Sequence, residues 1–78
     1  MSNSKEFIEY VARCLVDNRD AIEVRETDSA SLIIYELKVA PEDKGRIIGR
    51  QGQVVNAIRT LLRVMAAKEG KRATLEIL

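Results

Sequence analysis

Histidine and tryptophan are absent from this chain, cysteine and proline occur once each (Cys14, Pro41), and only Phe7, Tyr10 and Tyr35 are aromatic. Each scarcity closes a route. Without histidine, neither a structural zinc site of the usual Cys/His kind nor an imidazole general base can be assembled. One cysteine cannot close an internal disulfide. The carboxylates fall mostly in the surface phases of helices and strands, so no nucleophile–base pair stands out, and neither catalysis nor a cofactor is expected. No apolar run approaches the roughly 18 to 20 residues that span a bilayer, and Met1–Lys5 lacks the basic and apolar regions of a signal peptide. A cytoplasmic protein without membrane association is the expectation. At 78 residues with a 46% hydrophobic share, the chain is expected to form one domain, 1–78, near the small end of what folds without metals or cross-links.

Charge of one sign is missing from half of the chain. Between Lys44 and Arg72 stand eight basic residues and a single acid, Glu69, whereas residues 1–43 carry ten acids and five bases. The net charge of +1 hides this split. Such asymmetry is the footprint of a polyanion binder with one basic face.

Glycine is also sparse, and three of the four glycines lie within Gly45-Arg46-Ile47-Ile48-Gly49-Arg50-Gln51-Gly52. Apolar, helix-compatible sequence flanks this stretch on both sides, so it reads as one sharp turn between helices. Glycine at 49 and 52 permits φ > 0 and close backbone approach to a ligand. Arg50 and Gln51 are left between them, pointing outward.

Along the chain, Asn3 and Glu6 have the form of a capping box, and Phe7, Ile8, Val11, Cys14 and Leu15 recur at helical spacing over about residues 4–17. Cys14 is read as a small core residue on that stripe. Ile22–Arg25 alternates as a half-buried strand. After the polar Thr27–Ser31 comes a second strand, Leu32–Val39, with Ile33, Tyr35, Leu37 and Val39 inward, which makes an antiparallel hairpin. Pro41 with Glu42 and Asp43 opens a short helix ending near Ile48. In the next helix, Val54, Ile58, Leu61 and Met65 form the core stripe and Val55, Leu62 and Ala66 a flanking one. Gly70 is placed at C′. Ala73, Leu75 and Ile77 alternate in a last strand. The order α-β-β-α-α-β predicts an α+β fold with helices layered on one face of a three-stranded sheet.

The segment Ile47-Ile48-Gly49-Arg50-Gln51-Gly52-Gln53-Val54-Val55, set between two helices, resembles the GXXG signature of KH domains, and the element order is that of the type II arrangement. Leu15–Asn18, Val39–Asp43 and Glu69–Arg72 extend the resemblance to the KhpA group of small stand-alone bacterial KH proteins. The resemblance implies non-catalytic binding of single-stranded RNA. A KH loop clamps about four nucleotides of backbone. Amides of Gly49 to Gly52, beside a helix N-terminus, would meet phosphate oxygens, with Arg50 and Arg46 adding charge. The bases would lie in a groove between the two central helices and the middle strand, for which Ile47, Ile48, Val54 and Val55 are wall candidates; Ile48 and Val54 fit the core equally well. Lys44, Arg59 and Lys71 are either phosphate neighbours or solvated surface charges. With so few aromatics, stacking is weak and affinity should be modest.

The surplus apolar residues Val55, Leu62, Val64 and Ala66 point either to a subunit contact or to a well-buried helix. The resemblance implies a homodimer, pairing with a KhpB-like KH protein, and an RNA chaperone role in post-transcriptional regulation tied to cell shape and the peptidoglycan wall. Single-stranded DNA as ligand, or a purely protein-binding KH module, are the alternatives. A Walker A loop is excluded, since Arg50-Gln51 stand where Gly-Lys is required.

Overall fold

The computed structural model describes residues 3–78. Helix α1 (Asn3–Leu15) leads through a 3-10 turn at Arg19–Ala21 into β1 (Glu23–Asp28) and β2 (Leu32–Lys38). A second 3-10 turn at Pro41–Asp43 opens α2 (Lys44–Ile48); α3 (Gln53–Ala67) and β3 (Arg72–Ile77) complete the chain. The order is the expected one. The proposed cap at Asn3 rests on a side chain outside the described residues.

β2 is the central strand, antiparallel to β1 and parallel to β3, with Glu23 opposite Lys38 and Leu32 opposite Arg72. β1 extends three residues further than its alternation indicated, to Asp28, because backbone pairing with Ile33 and Ile34 continues across polar Thr27 and Asp28. The hairpin is closed by Ser29, whose amide and hydroxyl both donate to the Leu32 carbonyl (2.9 and 2.8 Å). Period-two alternation puts Val24, Ile33, Tyr35, Leu37, Ala73 and Leu75 on one buried face. Against it lie Ile8 and Ala12 of α1, Ile47 of α2, and Val55, Ile58, Leu62 and Ala66 of α3. Each large apolar side chain buried there contributes about 1.5–3 kcal/mol.

Two helix phases differ from the sequence expectation. Cys14 is exposed: the buried arc of α1 steps by four through Ile8, Ala12 and Val16, with Phe7, Val11 and Leu15 half-buried along its border, and Cys14 falls outside it. On α3 the stripe expected to flank the core is the buried one, joined by Ile58 alone of the expected core stripe. Val55, Ile58, Leu62 and Ala66 face the sheet, whereas Leu61 is 50% exposed. Both stripes are apolar, and only the seat of α3 on β3 decides between them.

The helix ends follow local chemistry. Gly70 (φ 70°) takes the left-handed conformation just past α3. Its amide reaches Ala67 O (3.0 Å) and that of Lys71 reaches Ala66 O (3.0 Å), the paired bonds of a Schellman motif. At the other junction Asp43, 1% exposed, accepts the amides of Asp17 (3.2 Å) and Asn18 (3.1 Å), fastening the chain after α1 to the start of α2. No helix among the described residues is long and apolar enough to cross a membrane.

Candidate nucleic-acid interface

The turn between α2 and α3 is built from three positive φ angles. Gly49 (φ 75°, ψ 175°) ends α2, and Gln51 (φ 56°, ψ 26°) and Gly52 (φ 76°, ψ 12°) then both sit in left-handed backbone. Gln51 is the only non-glycine among the described residues with φ > 0. Such a conformation costs of order 1–3 kcal/mol and is held only when the surroundings determine it. Packing constrains the entry to the turn. A Cβ at Gly49 would lie 2.5 Å from Val54 Cγ2, so the turn is folded tightly onto the first residues of α3.

Two of the four amides expected to meet a ligand are used within the turn. Gly49 N–H donates to Gly45 O (2.9 Å) and Gly52 N–H to Gly49 O (3.2 Å). The amides of Arg50 and Gln51 donate to no backbone carbonyl among the described residues, and both side chains are exposed. The turn therefore offers two N–H donors and a guanidinium at the start of α3, where the helix dipole adds positive potential.

The other predicted site residues separate by environment. Ile47 has no exposed surface and Val55 only 5%, so both belong to the core and neither walls a groove. Ile48 is 40% exposed immediately before the turn, and Val54 is half-buried beneath it. Lys44 is exposed. Arg46 Nη1 donates to Asp17 Oδ1 at 2.9 Å, but both side chains are largely exposed, and such a pair is worth little enough to exchange for a phosphate. Lys71 is not a free cation: it binds Asp28 at 2.8 Å, and that hydrogen bond, with the charges of Asp28, Glu69 and Glu26, raises its ammonium above the usual value against an opposing desolvation. Arg59 is not free either. Its Nε and Nη2 both donate to Leu75 O (3.2 and 3.1 Å), and Nη1 reaches Asn56 Oδ1 at 3.4 Å.

β2 is hydrogen-bonded on both edges, so the backbone of the middle strand is taken up by its neighbours. The open strand edge beside α3 belongs to β3. Arg72 and Leu78 amides point to β2, so by alternation Ala73, Leu75 and Ile77 turn their backbone groups outward. The two flanks of α3 consequently differ. Toward β3 stand Asn56, Arg59 and Arg63, in helical step with Gly52. Toward α1, Val54, Ala57 and Leu61 with Phe7, Val11 and Leu15 line an apolar groove of about 390 Å³. Arg63 was missed by the sequence reading. It becomes legible once the core stripe is set at Val55, Ile58, Leu62 and Ala66, since 52, 56, 59 and 63 then share a flank. Val55, Leu62 and Ala66, expected as subunit contacts, are core; of that group only Val64, 55% exposed, is at the surface.

A three-stranded sheet with one parallel pair, helices on one face, and a Gly-X-X-Gly turn between the second and third helices define a type II KH domain. The model of the KhpA/KhpB KH domain matches residues 5–77. The chain is similar to the RNA-binding protein KhpA of Caldanaerobacter subterraneus subsp. tengcongensis, with 52% identity over 94% of this chain and 97% of the relative. It is also similar to the proteins of that name from Clostridium acetobutylicum (47%, covering 95% and 99%) and Aquifex aeolicus (42%, covering 100% and 99%). No solved structure matches at comparable significance. This chain belongs to the KhpA/KhpB KH-domain family.

Proposed function

We propose that this protein binds single-stranded RNA without catalysing a reaction, with low sequence specificity, through the turn Gly49–Gly52. The observation that carries the reading is the pair of open amides at Arg50 and Gln51, held by left-handed backbone beside a guanidinium at the start of α3. Phosphate oxygens accept from those amides and from Arg50, and Arg46 can leave Asp17 to add a further contact. Ile48 offers apolar contact to an unstacked base. Lys44 and Arg63 supply charge nearby. The names of the relatives, RNA-binding protein KhpA, support RNA as the ligand.

The apolar flank of α3 suits protein. Ala57, Leu61 and Val64 are exposed side by side at helical spacing, and a second copy of the chain docked there would present two turns to one strand, raising avidity through effective concentration. A KhpB-like KH protein is the other candidate for the same flank, and the shared family model supports it. The family resemblance supports placing the activity in the cytoplasm, as an RNA chaperone in post-transcriptional regulation connected to cell shape and peptidoglycan homeostasis.

The test is Arg50→Asp with Gln51→Asp, read by gel shift on a single-stranded RNA oligomer. Aspartate tolerates the left-handed conformation at 51, so the fold should survive while phosphate is repelled. Loss of binding with an unchanged circular dichroism spectrum is expected. Unchanged affinity would refute the reading. Repeating the assay with the same sequence as DNA separates the single-stranded DNA alternative.

A further inference from the structure

Arg59 has five N–H donors, of which three are committed: Nε and one Nη2 hydrogen to Leu75 O, and one Nη1 hydrogen to Asn56 Oδ1. One donor remains on each terminal nitrogen. Arg59 is half-buried, and the anchorage of its guanidinium on a strand carbonyl holds it at the open edge of β3. The Asn56 amide is oriented by the same contact, because Oδ1 accepts from Arg59 and Nδ2 is left toward the turn, 3.4 Å from where a Gly52 Cβ would stand. Gly52, Asn56, Arg59 and Leu75 thus form a connected polar ledge running from the glycine turn to the β3 edge. From Gly52 to Arg59 is about 10 Å along the helix, within reach of a strand held at the turn.

We propose that this ledge selects the base, with Arg59 as its reader. The inference rests on the RNA-binding reading above and deepens it. A backbone carbonyl at a strand edge would accept from the amino group of adenine or cytosine, but Leu75 O is occupied, so that recognition is closed at the position beside Arg59. What Arg59 presents there instead is two donors. Two donors on adjacent nitrogens match two adjacent acceptors, which cytosine carries at N3 and O2 and guanine at N7 and O6; adenine and uracil place an N–H between or beside their acceptors. A base of the paired-acceptor kind is favoured at the position that reaches Arg59. Lysine could not substitute, since its ammonium is a point charge without the planar fork.

The experiment measures the affinity of the full chain for oligouridine octamers by fluorescence anisotropy, with two internal uridines replaced by cytidine, guanosine or adenosine. Cytidine or guanosine should tighten binding by about five-fold or more, and adenosine should not. If guanosine is the better base, 7-deazaguanosine, which lacks the N7 acceptor, should lose the gain. Arg59→Lys, its fold checked by circular dichroism, should erase the gain over oligouridine, because the charge is kept but the paired donors are lost. Equal affinity for all substituted oligomers, or a gain that survives Arg59→Lys, would overturn the assignment of Arg59 and leave RNA binding standing. Absence of binding to every oligomer would overturn both.

Discussion

Gly45 and Gly49 lie four residues apart and should answer the same substitution in opposite directions. Gly45 is inside α2 with nothing within 4 Å of the position an added methyl group would take, so Gly45→Ala should stabilise by about 0.4–1 kcal/mol through the unfolded chain. At Gly49, φ is 75° and the methyl would meet Val54, so Gly49→Ala should cost at least about 1–3 kcal/mol. Urea denaturation midpoints of the two variants give the check: they should shift to opposite sides of wild type. Asp43 is the third residue of consequence. Asp43→Ala leaves the amides of Asp17 and Asn18 without their acceptor and should destabilise by about 1–3 kcal/mol, far more than the neighbouring Glu42→Ala at an exposed position. The glycines could be read from the sequence because their spacing is local. The role of Asp43 could not, since its partners lie 25 and 26 residues away and its identity matched an ordinary first-turn acid.

At the scale of elements, α3 is where reading and structure part. Two apolar stripes run along it, and periodicity alone does not say which one a sheet will cover. Consequently a test of the subunit contact belongs at Leu61 and not at Leu62. Leu62→Arg would bury a guanidinium in a site 1% exposed and should unfold the protein, whereas Leu61→Arg should leave thermal stability nearly unchanged. Sedimentation should then find that Leu61→Arg lowers the mass of a self-associating wild type; an unaltered mass, or a monomeric wild type, removes the second copy from the apolar flank. The Lys71–Asp28 bridge joins the end of β1 to the start of β3 across the central strand. Its lysine titrates higher folded than unfolded, so its contribution is complete below pH 10.5 and declines as pH rises through the raised value. Lys71→Met should flatten the alkaline limb of a stability–pH profile above pH 10.5 and leave the neutral region's slope unchanged. Element order, the hairpin and the Gly70 terminus were all legible, because each is set by neighbours in sequence. Arg59 and Lys71 were read as free cations because a carbonyl on β3 and a carboxylate 43 residues away do not announce themselves in the chain.

The whole molecule divides its labour around α3. On one side the glycine turn, Asn56, Arg59 and Arg63 present N–H donors and positive charge; on the other, apolar side chains of α1 and α3 share a groove. The far face of the sheet carries Glu23, Arg25, Glu36 and Lys38, charges of both signs that favour no polyanion. This arrangement explains how a chain with a net charge of only +1 can offer a strand of phosphates a basic track. The most direct measurement is a titration of the 15N-labelled protein with a single-stranded RNA octamer, following backbone amide resonances. The account predicts that Arg50 and Gln51 shift most, with Asn56 and Arg63 following and the sheet residues Arg25, Glu36 and Lys38 still. Stationary Arg50 and Gln51 amides at saturating RNA, with the shifts gathered elsewhere, would contradict it.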